Sequence, residues 1–127
     1  MSNPVGAPPT LDLLSELPPA SADEAITTLV AGDGVRIERI VSRGHASPEG
    51  FWYDQAEAEW LMVVAGRARL RIEGEAEDRA LGPGDSLFLP ARCRHRIAWS
   101  DPAQPAVWLA VFIEAALAPR PVVAGPG

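Results

Sequence analysis

The alternation of apolar and polar residues is clearest over Arg67–Glu73. There Ala68, Leu70 and Ile72 share one side of an extended chain, and Arg67, Arg69, Arg71 and Glu73 share the other. A period of two is the mark of a strand with one face on a core. Similar runs occupy Gly34–Ser42, Glu57–Ala65, Arg79–Leu81, Ser86–Leu89, Cys93–Trp99 and Ala106–Ile113. The residues between them are turn formers: Gly66, Gly74, Gly82-Pro83-Gly84-Asp85, Pro90-Ala91-Arg92 and Asp101-Pro102. Short strands this closely spaced, with no helical period between them, predict an all-β sandwich or barrel rather than a parallel α/β sheet.

The first 33 residues read differently. Pro4, Pro8, Pro9, Pro18 and Pro19 punctuate them and leave room for helical turns at Leu11–Leu17 and Ala22–Val30. The second carries a capping signal, Ser21 followed three residues later by Glu24. The expected organisation is a partly helical, partly ordered N-terminal arm (1–33) that packs across the barrel or a partner subunit. A barrel (34–118) and a flexible Pro/Gly-rich tail (119–127) follow.

Composition narrows the functional classes. A chain of 127 residues is sized for one core. Its net charge of -6 argues against nucleic acid, whose phosphates require a concentrated basic face, and would tend to repel anionic membranes. The longest apolar stretch, Ala106–Ile113, is too short to span a bilayer. A lone cysteine, Cys93, forms no internal disulfide, and the N-terminus lacks a basic region followed by an apolar run, so a cytoplasmic location is expected. No phosphate loop, Ser/His/Asp arrangement or paired-cysteine site is present.

Strand geometry singles out two polar positions. Cys93, His95, Ile97 and Trp99 share a face that is otherwise apolar, which should carry His95 inward; Gln55, Glu57, Glu59, Leu61 and Val63 share another. If both faces line the interior, Glu59 and His95 meet above an apolar floor, as a ligand site requires. Trp52, Tyr53 and Trp60 are candidate pocket walls, with Tyr53 the best functional polar tip. Cys93 reads as core filling, Glu57 as the partner of an arginine, and Arg67, Arg69 and Arg71 as outward groups in ion pairs.

Two stretches resemble a known family. Glu59 followed after six residues by Gly66 is similar to the end of the first cupin motif. Gly84, then Pro90 six residues on and His95 five further, is similar to the second. The segment Ser47–Gln55 with Glu59-Trp60 also resembles a group of small bacterial cupins without assigned activity. The resemblance covers residues 34 to 115 and implies a jelly-roll, or double-stranded β-helix, barrel, with Glu59 in the place of a usual metal ligand. The first motif ordinarily also offers His-x-His. Here those places hold Tyr53 and Gln55, or Trp52 and Asp54 if the gap is one longer. Arg92 stands where glycine is usual, and Trp99 where asparagine is usual. With only His45 and His95 in the chain, a three-histidine, one-glutamate centre cannot form within one subunit.

A divalent metal (Fe, Mn, Ni or Zn) would therefore be held by His95, Glu59 and Gln55, with Asp54 or His45 completing the shell. The expected function is a metal-assisted pocket acting on a small polar molecule as an oxygenase, isomerase or lyase, with Tyr53 orienting or protonating substrate. The alternative is a metal-free ligand-binding or sensing module. A homodimer is expected, because a small barrel leaves an edge strand to cover.

Overall fold

Eight strands, all paired antiparallel, form two sheets in the computed structural model, which describes residues 6–115 and 117. In chain order they are β1 (Ala25–Gly32), β2 (Val35–Ser42), β3 (Ala58–Ala65), β4 (Ala68–Ile72), β5 (Arg79–Leu81), β6 (Ser86–Leu89), β7 (His95–Ser100) and β8 (Ala106–Ile113). The larger sheet runs β1-β2-β8-β3-β6 and the smaller β5-β4-β7. Their facing sides bury Leu61, Val63, Leu70, Leu89, Trp108 and Phe112, a layer of large apolar side chains that drives the sheets together. The outer row of β4 is arginine as its alternation predicts: Arg71 pairs with Asp78 at 3.3 Å, and Arg69 lies 4.8 Å above the ring of Trp99.

β1 corrects the sequence reading. Ala22–Val30 is no helical turn: Ala25–Gly32 is extended and pairs with β2 from Ala25↔Val41 to Gly32↔Val35. The β-branched run Ile26-Thr27-Thr28 favours a strand, and a neighbouring strand satisfies its backbone better than an isolated capping box does. Leu11–Leu17 holds only a turn, closed by Ser15 N–H donating to Asp12 O at 3.2 Å. The chain before β1 is tied to the barrel through its carbonyls: Arg39 donates to Ser15 O at 3.1 Å and Arg43 to Pro18 O at 2.8 Å. The 119–127 tail lies outside the described residues.

Two glycine-bearing turns set the geometry beneath the site. Gly66, at φ 79°, joins β3 to β4, and a Cβ there would sit 2.3 Å from the carbonyl oxygen of Pro105, so only glycine fits. In the Gly82–Asp85 turn, the Asp85 carboxylate accepts from Gly82 N–H at 2.8 Å. Gly84 N–H donates to Val63 O at 2.8 Å, which latches the turn onto β3. Arg92, at φ 64°, adopts the left-handed conformation that a glycine would take without strain, and its N–H donates to Gln55 O at 2.7 Å.

A bulge in β7 alters one predicted face. Arg69 pairs with Trp99 while Leu70 pairs with Ile97, so Ala98 is an extra residue. The side-chain alternation reverses across it. Ser100 turns inward, 1% exposed, and Trp99 turns out against Arg69 rather than joining His95 and Ile97 inside.

Candidate functional site

Between the sheets lies a cavity of about 290 Å³, whose floor is apolar (Leu61, Leu70, Ile97, Trp108 and Phe112). Its polar end is built by three segments meeting. Glu59 comes from β3 and His95 from the start of β7. Tyr53 and Gln55 come from the loop before β3, which is held against β7 by paired backbone bonds: Tyr53 N–H to His95 O at 2.7 Å and His95 N–H to Tyr53 O at 3.1 Å. That pairing fixes the register of the first motif. Tyr53 and Gln55 line the cavity. Trp52 packs outside beneath Arg94 and Arg96, and Asp54 is exposed.

Glu59 and His95 are 5% and 4% exposed, and His95 Nε2 lies 3.5 Å from Glu59 Oε1. His95 Nδ1 is 2.8 Å from the Cys93 carbonyl, which can only accept, so Nδ1 carries a hydrogen and Nε2 is the nitrogen that faces Glu59. Gln55 Nε2 donates to the same Glu59 oxygen at 3.1 Å. Burial alone would pull the imidazole pKa down. The Glu59 hydrogen bond, the Cys93 carbonyl and the Glu59 charge together outweigh it, so His95 titrates above its ordinary value. Tyr53 stacks on the His95 ring, centroids 5.4 Å apart at 24°. Its phenol is pushed up by burial and then by the charges of Glu24 and Glu59. It therefore stays a protonated donor at neutral pH.

Of the residues singled out from sequence, His95, Glu59, Gln55 and Tyr53 come together and Asp54 and His45 do not. Asp54 pairs with Arg92 at 3.4 Å on the surface. Both His45 ring nitrogens are engaged: Nδ1 accepts from Arg43 N–H at 2.8 Å, and Nε2 lies 2.9 Å from Ser21 O. Glu57 is held by the Arg36 guanidinium at 3.0 and 3.3 Å, so it forms no carboxylate pair with Glu59. Trp60 is 36% exposed and absent from the cavity lining. Cys93 packs against the core, and burial, then the charge of Glu75, push its thiol above the usual range, away from an activated thiolate.

One lining residue was not anticipated. Glu24, read from sequence as half of a helix cap, precedes β1 and reaches the cavity, where it bonds to the Ser42 hydroxyl. Ser42 Oγ in turn accepts from Trp108 Nε1 at 3.1 Å. Burial raises the Glu24 carboxyl pKa, a shift partly offset by Ser42 and His45. The signal that could have found it is the β-branched run that begins two residues after it, at Ile26.

The fold is a two-sheet antiparallel jelly roll enclosing a pocket that carries a buried glutamate and histidine. The cupin domain model matches residues 41–112, and the chain belongs to that family. Among solved structures, it is 47% identical to a Ralstonia eutropha JMP134 protein named a candidate mannose-6-phosphate isomerase. That match covers 85% of this chain and all of that one, with a TM-score of 0.82. A cupin superfamily protein from Desulfitobacterium hafniense DCB-2 shares 19% identity over 87% of this chain and 93% of its own, with a TM-score of 0.67. A DMSP lyase from Ruegeria pomeroyi DSS-3 shares 24% identity over 71% of this chain and 46% of its own, at 0.55. The last two bear on the fold alone. No curated protein matches the sequence. No helix among the described residues is long and apolar enough to cross a membrane.

The metal site common in this family is testable against the donors present. Among the described residues no group of three or more His, Cys, Asp or Glu side chains converges. His95 Nε2 and Glu59 are two strong donors, and Gln55 adds only an amide. Catalytic zinc and non-haem iron centres present three strong protein ligands. The residues fall one strong ligand short of a resident centre of that kind.

Proposed function

We propose that this cupin binds a small organic molecule with an apolar body in its barrel, and that Glu59, His95 and Tyr53 form the end at which protons are exchanged with it. The observation that carries this reading is the Glu59–His95 pair, nearly inaccessible to solvent and opening on an otherwise apolar cavity of about 290 Å³. Such a pair is costly to bury unless its partners match or its chemistry is used. Glu59 accepts a proton from a carbon beside a carbonyl, and His95 or the Tyr53 hydroxyl donates to the oxygen. Return of the proton to a different carbon is an isomerisation, and departure of a leaving group is a lyase reaction.

The Ralstonia protein's name suggests an isomerase, which agrees with proton transfer. A phosphosugar agrees less well with this cavity. Its lining includes one guanidinium, Arg36, and that is spent on Glu38 and Glu57. A second reading keeps a metal on His95 Nε2, Glu59 and Gln55. It is favoured by the Nδ1–Cys93 bond, because ligating histidines anchor their other nitrogen in this way.

A melting-temperature screen of small organic compounds, run on wild type, Glu59→Gln and His95→Gln with and without added Fe, Mn, Ni or Zn, tests both. Metal-independent stabilisation that both variants lose is the expected result. Near-stoichiometric metal by elemental analysis, with ligand stabilisation only in its presence, would replace this reading by the second.

A further inference from the structure

The cavity is unbalanced in charge. Its lining carries three carboxylates, Glu24, Glu38 and Glu59, against the single guanidinium of Arg36. Arg36 is committed twice over, by Nε to Glu38 at 2.8 Å and by its terminal nitrogens to Glu57 at 3.0 and 3.3 Å, and it lies 4.3 Å over the Phe112 ring. Glu59 is matched by His95. Glu24 has no ion-pair partner: among the described residues no Arg or His lies within ion-pair distance of it, its bonded neighbour is the neutral Ser42 hydroxyl, and the charge of His45 reaches it only from farther off. On its side of the cavity the walls include two aromatic rings, Trp108, which shares the Ser42 hydroxyl with it, and Tyr53, on whose phenol its charge acts. A carboxylate lacking a counter-ion, beside π faces and an apolar floor, is the environment that attracts a positively charged group on a hydrophobic body.

We propose that the cavity selects a small organic cation, a protonated amine carried on an apolar or aromatic skeleton, with Glu24 as its counter-ion. This deepens the proposed function by assigning its ligand class and rests on that reading of the cavity. The amine sits by Glu24, and the rest of the molecule lies over Leu70 and Ile97 towards Glu59, His95 and Tyr53. An anion of the same shape meets the charge of Glu24 and binds more weakly.

Three isosteric probes decide it: benzylamine, benzyl alcohol and benzoate, titrated at pH 7 into the full chain by calorimetry. Benzylamine is expected to bind at least tenfold more tightly than benzyl alcohol, with benzoate weakest. Glu24→Gln is expected to abolish the amine's advantage while leaving benzyl alcohol unchanged. Glu24→Asp, which keeps the charge, is expected to retain most of the advantage and guards against a folding defect in the first variant. Equal affinity for amine and alcohol, or an amine preference that survives Glu24→Gln, overturns the assignment of a cation and leaves the binding cavity standing. Tightest binding of benzoate overturns it in the opposite sense. No binding by any of the three overturns both the cation and the cavity reading.

Discussion

Replacing Glu59 by Gln keeps the shape of the side chain and removes its charge, which makes it a clean perturbation of the buried pair. In the wild type the His95 imidazole is raised above 6.5 because Glu59 and the Cys93 carbonyl outweigh burial. Without the carboxylate, burial is the largest remaining influence, and the imidazole should fall below its ordinary value. A group raised in the folded state contributes stability that is fully present below its unfolded pKa of 6.5 and is lost as pH rises through the folded value. The Glu59→Gln penalty should therefore be largest near pH 6, at about 2 kcal/mol for a charged hydrogen bond exchanged for a neutral one, and shrink below about 1 kcal/mol by pH 9. Urea unfolding at the two pH values measures the gap. The chain has only two histidines, so NMR titration of the imidazoles follows His95 against His45 as an internal reference. A penalty independent of pH, or a wild-type His95 titrating at or below 6.5, would refute the reasoning.

Other positions give sharper structural tests. Gly66→Ala places a methyl group 2.3 Å from a backbone oxygen at φ 79°, so a loss of about 3 kcal/mol or failure to fold is expected, read by the urea midpoint. Arg92→Gly relieves a left-handed residue at the cost of a surface ion pair, and a gain of about 0.5 kcal/mol is expected; a loss above about 1 kcal/mol would show that Arg92 does more than occupy the turn. Ser42→Ala strands both the Glu24 carboxyl and Trp108 Nε1, for an expected cost of about 2 kcal/mol and altered Trp fluorescence. For the proposed homodimer, light scattering should give twice 13.5 kDa, with the β1 edge, where Ile26 is 60% and Val30 53% exposed, as the face to be covered. A monomeric mass would count against it.

How much of this was legible in sequence depends on whether the signal was local. The strands from Arg67 to Ile113 were readable because one-sided burial writes a period of two into the chain, and Gly66 and Gly84 marked turns that only glycine makes without strain. Ala25–Gly32 was misread because a capping signal at Ser21 and Glu24 is local, whereas the partner that makes the segment a strand is β2. Trp99 was misplaced because the extra residue Ala98 depends on the β4 register, which the sequence of β7 alone does not reveal. At the cavity, the inward placement of Glu59 and His95 was readable from their apolar neighbours in the strand. That of Glu24 was hidden for the same reason as β1, and the placement of Asp54 and His45 away from the cavity was not readable because their engagement with Arg92, Arg43 and Ser21 is set by loop geometry.

The most direct measurement is a crystal structure of the protein soaked in benzylamine, with diffraction recorded also above the Fe and Zn absorption edges. The account predicts the probe inside the barrel, bordered by Trp108 and Leu70, with no anomalous peak between His95 Nε2 and Glu59. Density confined to the outer groove of Trp52, Arg71 and Arg96, or a metal peak bridging His95 and Glu59, would contradict it.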